Sequence, residues 1–158
     1  MGMFDTIYNV PVKCPRCGDS GPKSVQIKSG PQELLEYEFG KDKIPINWTY
    51  EYYGSIIDIK KRIIRGIAAC GKCKEETNKK MDDLLEDAKK KGEIKVPEGD
   101  GYLFQCEIEG KSALGVMLNR LDEAYGGNRN IELFHVAIFL NEDYIPVAID
   151  QIVKLNEI

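Results

Sequence analysis

The sequence lacks the segments and motifs that would assign it to a membrane or to a common class of enzyme. Its apolar runs are short, for example Val136 to Leu140, whereas a membrane-spanning helix needs about 20 apolar residues. The first residues do not combine a basic start with an apolar core, so they predict no secretory signal. There is no glycine-rich phosphate loop, no His-Glu-x-x-His motif and no nucleophile elbow. We therefore expect a cytoplasmic protein without a membrane segment, and we favour a protein that is not an enzyme.

Positive charge is scarce for a protein that binds nucleic acid without sequence preference. The 158 residues carry a formal net charge of −4, whereas contacts with phosphates require clustered lysine and arginine. Hydrophobic residues make up 42% of the sequence and charged residues 30%, which is typical of a soluble globular protein. The composition therefore predicts a folded chain and weakens a nucleic-acid function without excluding it.

Four of the five cysteines form two Cys-x-x-Cys motifs. We call Cys14 and Cys17 the first cysteine pair, and Cys70 and Cys73 the second cysteine pair. In a chain without a secretory signal, such motifs indicate a metal site before disulfides. Glycines beside both pairs suit tight turns that direct two sulfurs at one ion. Because four thiolates in a tetrahedron suit structural Zn²⁺, the sequence predicts a zinc site at these four residues.

The sequence leaves other states of the cysteines open. Free core thiols and disulfides are the simplest alternatives, but two paired motifs with adjacent glycines favour a metal. A redox Cys-x-x-Cys normally opens a helix after a strand, and no helical pattern follows Cys17. Iron, as in a rubredoxin, would use the same ligands. We favour zinc because the second pair lacks a proline after Cys70 and a glycine after Cys73.

The chain divides near residue 75 into halves of different character. The first half contains both cysteine pairs and β-type patterns, and the second half adds amphipathic helices. The predicted strands cover residues 24–28, 33–39, 56–69, 102–108, 131–140 and 144–149, and the predicted helices cover 77–91 and 112–125. We therefore predict an α+β protein with two domains. A β-rich zinc ribbon at 1–75 is followed by a small α/β unit at 76–158, with two helices and three or more strands, packed on the ribbon.

The cysteine motifs resemble the knuckles of the zinc-ribbon superfamily, which includes transcription factors and ribosomal proteins. Three segments also resemble a group of uncharacterised microbial and phage zinc-ribbon proteins: Met3-Phe4-Asp5-Thr6-Ile7, Lys13 to Gly18, and Val25 to Lys28. This resemblance covers the N-terminal half of the chain. It implies four zinc ligands and no catalytic residue.

One basic cluster is a candidate contact for nucleic acid. It consists of Lys60, Lys61, Arg62 and Arg65, and it follows a segment that contains Trp48 and several tyrosines. Single-stranded nucleic acids stack their bases on aromatic rings and pair their phosphates with cations. A solvated strand edge over a core of tyrosines is the simpler interpretation, and we favour it.

Cys106 and His135 are the remaining residues with catalytic potential. We interpret Cys106 as a buried structural thiol and His135, the only histidine, as a hydrogen-bonded strand residue. We therefore rank three functions. The first is a non-enzymatic binding or adaptor module, of viral or archaeal origin, with a structural Zn²⁺ and a protein partner. The second is a zinc ribbon that binds nucleic acid in transcription, and the third is an enzyme with its site in the C-terminal half.

Overall fold

The predicted α+β class is confirmed by the computed structural model, which describes residues 4–48, 54–94 and 106–152. These ranges contain nine strands and two helices. The strands are β1 Asp5–Val10, β2 Lys23–Ile27, β3 Glu36–Glu38, β4 Ile56–Asp58, β5 Ile63–Ala69, β6 Glu107–Ile108, β7 Lys111–Ser112, β8 Leu133–Leu140 and β9 Pro146–Ile152, and the helices are α1 Gly71–Lys90 and α2 Ala113–Ala124.

Seven strands form one large sheet, in the order β3-β1-β2-β5-β8-β9, and β4 pairs with β5 beside this path. The pairing of β1 with β3 is parallel, and the other pairings in the sheet are antiparallel. The late strands β8 and β9 therefore continue a sheet that the N-terminal strands begin. The strands β6 and β7 form a separate hairpin.

The chain forms two compact units. The first unit comprises Met1–Lys72 and Glu132–Ile158 and contains the large sheet, and the second unit comprises Cys73–Ile131. The second unit contains α2, the small hairpin and nearly all of α1. These bounds differ from those of the predicted domains, 1–75 and 76–158, because β8 and β9 pair within the large sheet.

The core of the first unit lies on one face of the large sheet. Side chains there alternate with outward-facing residues along β2, β5 and β8, which is the period of two expected of a strand with one buried face. The buried members include Val25, Ile27, Ile64, Ala68, Val136 and Ile138. The same period places Arg65, Ile67 and His135 on the opposite face. The cleft described below lies on that face.

The second unit has a smaller core of its own. Ala88 of α1 and Met117 of α2 are fully buried there, and Cys106 is buried with them, as predicted. One side of α1 packs against this core, as its amphipathic pattern predicts. Ser112 precedes α2 at the predicted position, but its side chain makes no capping hydrogen bond.

The prediction of one continuous strand over 56–69 is wrong, because the segment is the β4–β5 hairpin. The Lys61 N–H group donates a hydrogen bond to Asp58 Oδ1 at 3.0 Å, and Arg62 adopts a φ of 56°. An aspartate that accepts from the backbone in this way favours a turn. The charged residues at 58–62 therefore interrupt the run of isoleucines.

Two predicted turns are confirmed. In the turn between β8 and β9, Asn141 Oδ1 accepts hydrogen bonds from the N–H groups of Asp143 at 2.9 Å and Ile145 at 3.0 Å. Between β6 and β7, Glu109 and Gly110 have φ values of 50° and 78°, which suit a two-residue hairpin turn. The predicted strand at 33–39 is shorter, since β3 covers Glu36–Glu38. Most of the strand predicted at 102–108, and the tyrosines at 50, 52 and 53, lie outside the described residues.

A buried carboxylate that the sequence analysis did not single out stabilises the loop before β3. Asp5 is fully buried. Its carboxylate accepts hydrogen bonds from the N–H groups of Gln32 at 2.9 Å and of Glu33 and Leu35 at 3.0 Å. A Cβ atom on Gly30 would lie 2.6 Å from Asp5 Oδ2, so the close approach requires glycine. These three N–H groups compensate the burial of the Asp5 carboxylate, and the carboxylate in turn fixes the loop.

The variant Asp5→Ala should be markedly less stable than the wild type. It leaves three backbone N–H groups without their acceptor, so we expect the free energy of unfolding to fall by about 2–4 kcal/mol. Urea denaturation followed by circular dichroism measures the change. The control is Asp143→Ala in an exposed turn, which should change it by less than about 0.5 kcal/mol. Equal midpoints for the two variants would contradict the role of Asp5.

Candidate metal centre

Four cysteine sulfurs converge on one point. The Sγ atoms of Cys14, Cys17, Cys70 and Cys73 all lie within 4.8 Å of one another, and those of Cys17 and Cys70 are 3.5 Å apart. A tetrahedral zinc site with Zn–S bonds of about 2.3 Å separates its sulfurs by about 3.8 Å. None of the four residues forms a disulfide. The cluster is therefore positioned to hold a metal ion.

The first cysteine pair lies in a tight turn between β1 and β2. The N–H group of Gly18 donates to the carbonyl oxygen of Cys14 at 3.0 Å, and the N–H group of Cys14 donates to that of Asp19 at 2.9 Å. Gly18 has a φ of 78°, which glycine adopts without the steric penalty of a side chain. The predicted role of Gly18 in the turn is therefore confirmed.

A buried lysine stabilises the same turn by hydrogen bonds to its backbone. The Lys23 side chain is 2% exposed, and its ammonium donates to the carbonyl oxygens of Asp19 at 2.7 Å and Gly21 at 2.8 Å. These carbonyl groups follow the first cysteine pair directly in the chain. Lys23 therefore fixes the loop that carries two of the four sulfurs, a role that a lone lysine in the sequence did not indicate.

The Asp19 side chain links this loop to the second cysteine pair. Its carboxylate lies 3.3 Å from the Lys72 ammonium and 3.5 Å from that of Lys23. Desolvation opposes ionisation, but the hydrogen bond and charge of Lys72, followed by the charge of Lys23, lower the pKa of Asp19 below its usual value. Since Lys72 stands between Cys70 and Cys73, the ion pair supports the approach of the two cysteine pairs. Lys72 is one of four cations that flank the motifs, with Lys13, Arg16 and Lys74.

The second cysteine pair lies where a strand passes into a helix. β5 ends at Ala69 and α1 begins at Gly71, so Cys73 lies in the first turn of the helix. The N–H group of Cys70 donates to the carbonyl oxygen of Glu132 at 2.9 Å. Unpaired N–H groups and the positive end of the dipole at a helix N-terminus favour thiolates. Gly71 is helical here, and the positive φ expected of it is not observed.

The start of α1 corrects the prediction of a helix from residue 77. Residues 71–76 contain no apolar periodicity, so the hydrophobic pattern could not show the first turns of this helix. A zinc ribbon takes both ligand pairs from turns, and this arrangement is not confirmed for the second pair. A strand followed by Cys-x-x-Cys and a helix is also the local structure of a redox motif. The convergence of the first pair on the same point favours a metal site over that alternative.

The surroundings of the Cys14 thiol lower its pKa and so favour the thiolate. Burial alone raises its pKa, but hydrogen bonds from the N–H groups of Cys17 and Arg16 and from the Cys17 and Cys70 side chains outweigh burial. Together these contacts lower the pKa of Cys14 from 9.0 to about 7. Since metals bind the thiolate form of cysteine, a large share of Cys14 is in the binding form at neutral pH.

The basic cluster predicted as a nucleic-acid contact has members in different surroundings. Lys60 and Lys61 are exposed in the β4–β5 turn. Arg62 Nε donates to the carbonyl oxygen of Leu140 at 3.4 Å, and Arg65 Nε donates to that of Gly54 at 2.8 Å. The two arginines therefore contact the protein itself, and the contact with nucleic acid stays a prediction.

Searches of protein-family models, curated protein sequences and solved structures found no match to this chain. The fold and the site define an α+β protein with a four-cysteine cluster positioned for a metal ion and compatible with a zinc knuckle. Membership of the zinc-ribbon superfamily stays a prediction. Within the described ranges, neither helix combines the length and apolar character needed to cross a membrane.

The variant Lys23→Met should weaken metal binding without removing a ligand. It deletes the donor that fixes the loop of the first cysteine pair, and loss of such a supporting contact reduces metal affinity about tenfold or more. Titration with Co²⁺, followed by its thiolate charge-transfer absorption, measures the affinity. Lys43→Met, at an exposed lysine, is the control and should bind like the wild type. Equal affinities for the two variants would show that Lys23 does not support the site.

Proposed function

We propose that the protein binds one structural Zn²⁺ through Cys14, Cys17, Cys70 and Cys73 and acts as a non-enzymatic module that binds a protein partner. The observation that carries the metal assignment is the mutual approach of the four sulfurs to within 4.8 Å. Four protein ligands complete the tetrahedron of a zinc ion, whereas catalytic zinc sites keep a position open for water or substrate. The ligand set therefore supports a structural role.

Several properties of the cluster support zinc as the metal. Cys14, Cys70 and Cys73 are buried and Cys17 is exposed, so most of the ligand sulfur is shielded from solvent. Thiolates are soft ligands that suit both zinc and iron. The residues after Cys70 and Cys73 do not follow the rubredoxin pattern, and zinc is therefore the assignment that we propose.

The ion would join parts of the chain that are far apart in sequence. The two pairs are separated by the whole segment from Gly18 to Ala69. Each doubling of the length of a closed loop costs only about 0.6 kcal/mol, whereas structural zinc contributes on the order of 10 kcal/mol. A bound ion would therefore hold the loop after β1 next to the junction of β5 and α1.

Purified protein should contain close to one zinc ion per chain, and Cys70→Ser should lose it. The matched control is Cys106→Ser, because Cys106 is the one cysteine outside the cluster; this variant should retain the ion. Mass spectrometry of native protein and elemental analysis measure the metal. A full zinc complement in Cys70→Ser, or iron in place of zinc, would contradict the assignment.

Removal of the ion should lower the melting temperature of the wild type. Chelation separates the cysteine pairs, and a charged four-sulfur cluster without its cation is unstable in a partly buried position. Differential scanning calorimetry before and after treatment with a strong chelator measures the shift, and Cys70→Ser should not respond to the chelator. An unchanged transition in metal-free wild type would count against a structural role.

The negative net charge of the chain is the main support for a protein partner, and no particular surface is assigned to that partner. The net charge of −4 opposes tight binding to polyanions, and the proposed zinc has no open coordination position for chemistry. One observation favours nucleic acid as a second candidate. Lys60 and Lys61 are adjacent and exposed at the tip of the β4–β5 hairpin, where phosphates can reach them.

The double variant Lys60→Gln/Lys61→Gln distinguishes these candidates. For a protein-binding module, fluorescence anisotropy should show only weak binding to a single-stranded oligonucleotide, with no difference between wild type and variant. The arginines of the cluster are left in place because both hydrogen-bond to backbone carbonyls, so that folding is not disturbed. Tight binding that falls steeply with salt and is lost in the variant would establish the nucleic-acid function instead.

An enzyme with a site in the C-terminal half is the third hypothesis. Cys106 belongs to the core of the second unit, which agrees with a structural thiol. His135 lines a cleft of the first unit together with Arg65 and Lys28, so its imidazole lies beside two cationic residues. No reaction is proposed for either residue.

A further inference from the structure

A cleft of about 250 Å³ lies on the large sheet, on the face opposite the core. It belongs entirely to the first unit. The described residues that line it are Gln26, Lys28, Ser55, Arg65, Gly66, Ile67 and His135. Neither the metal cluster nor the proposed protein partner accounts for this group of polar side chains.

The strand register explains why these residues meet. Ile67 of β5 pairs with Gln26 of β2 on one side and with His135 of β8 on the other. Since neighbouring strands lie about 4.8 Å apart, the three side chains form one row across the sheet. Arg65 lies two positions from Ile67 on the same face, and Lys28 stands in the same relation to Gln26. Both cations therefore lie on the same side of the row.

The charge of the cleft is entirely positive among the described residues that line it. Arg65 and Lys28 are cationic, and none of the other lining residues is acidic. Extension of the β2–β5 register by one residue pair places Lys28 opposite Arg65. Like charges in opposing positions destabilise a sheet. An anion between them would be attracted by both charges.

The Arg65 guanidinium is oriented but not fully paired. Its Nε donates to the carbonyl oxygen of Gly54 at 2.8 Å. Its Nη1 is buried and has no hydrogen-bond partner within the described part of the chain. A buried donor without an acceptor is unfavourable, so Nη1 needs an oxygen atom that the described residues do not supply.

His135 contributes a second unpaired polar atom. Its Nδ1 is buried and likewise lacks a partner among the described residues. Burial, and then the charge of Arg65, lower the pKa of His135 below its usual value. The imidazole is therefore neutral at physiological pH and can offer one N–H donor.

We propose that this cleft binds the phosphate group of a small molecule. The arginine fork and the lysine ammonium match the charge and the oxygen geometry of phosphate. The imidazole of His135, the Gln26 amide and the Ser55 hydroxyl add neutral donors around it. The volume of about 250 Å³ is small beside that of most drug-sized ligand sites and suits free phosphate or a compact phosphate ester. None of the four clustered cysteines is among the described residues that line the cleft.

The single histidine provides a direct test. The imidazole C–H proton signals of His135 can be followed by NMR while inorganic phosphate, or in a second series glycerol phosphate, is added at constant ionic strength. We expect a saturable change in chemical shift. Tighter binding of the ester would identify a phosphorylated small molecule as the ligand, and equal binding would identify free phosphate. A linear, non-saturating response to both would overturn the proposal.

Variants connect the response to the cleft. Arg65→Gln should weaken binding at least about tenfold, because it removes a charge-assisted bidentate contact. Lys28→Gln, just after β2, gives a second measurement if Arg65→Gln does not fold. Lys61→Gln, in the exposed turn of the β4–β5 hairpin, is the matched control and should bind like the wild type. Equal affinity in Lys28→Gln and Lys61→Gln, or wild-type affinity in folded Arg65→Gln, would overturn the proposal.

Discussion

The convergence of four sulfurs is the constraint that determines which parts of this chain must meet. One sulfur pair lies on a loop after β1, and the other lies at the passage from β5 into α1. The protein supports this approach with contacts that involve no sulfur. Lys23 fixes the loop through two carbonyl groups, and Asp19 joins that loop to Lys72 by an ion pair. Metal ligands that are oriented by such supporting contacts lose less conformational entropy when the ion binds.

The four cysteines of this cluster could be singled out from sequence because their pattern is local. Two cysteines spaced by two residues form a chemical signature whatever the rest of the chain does. The strands β2 and β8 and the turn at Asn141 could be predicted for the same reason, since alternation and turn chemistry are properties of short segments. The start of α1 could not, because Lys72, Lys74 and Glu75 carry no hydrophobic periodicity.

Long-range pairing explains the other differences between sequence and structure. The sequence of β8 does not indicate which strand it pairs with. In the structure its partner is β5, and His135 lies opposite Ile67. The sequence alone did not indicate the cleft for this reason: its residues come from three strands and two loops, and only the pairing of the strands brings them together. Arg65 illustrates the point, because in sequence it belongs to a basic cluster with Lys60 and Lys61. In the sheet it faces a cleft with His135, since alternate residues of a strand point to opposite faces.

The antiparallel backbone pairing of β5 with β8 connects the cysteine cluster to the cleft. At its end, the N–H group of Cys70 donates to the carbonyl oxygen of Glu132, and Ala69 pairs with Leu133 in the adjoining position. Two residues further along β5, Ile67 pairs with His135 at the cleft. The ladder is also held from the other face by Ala68 and Val136, which are fully buried. Because that packing involves none of the four clustered cysteines, the core keeps the register of the cleft, and a metal ion held by the cluster would fix the end of the strand from which α1 begins.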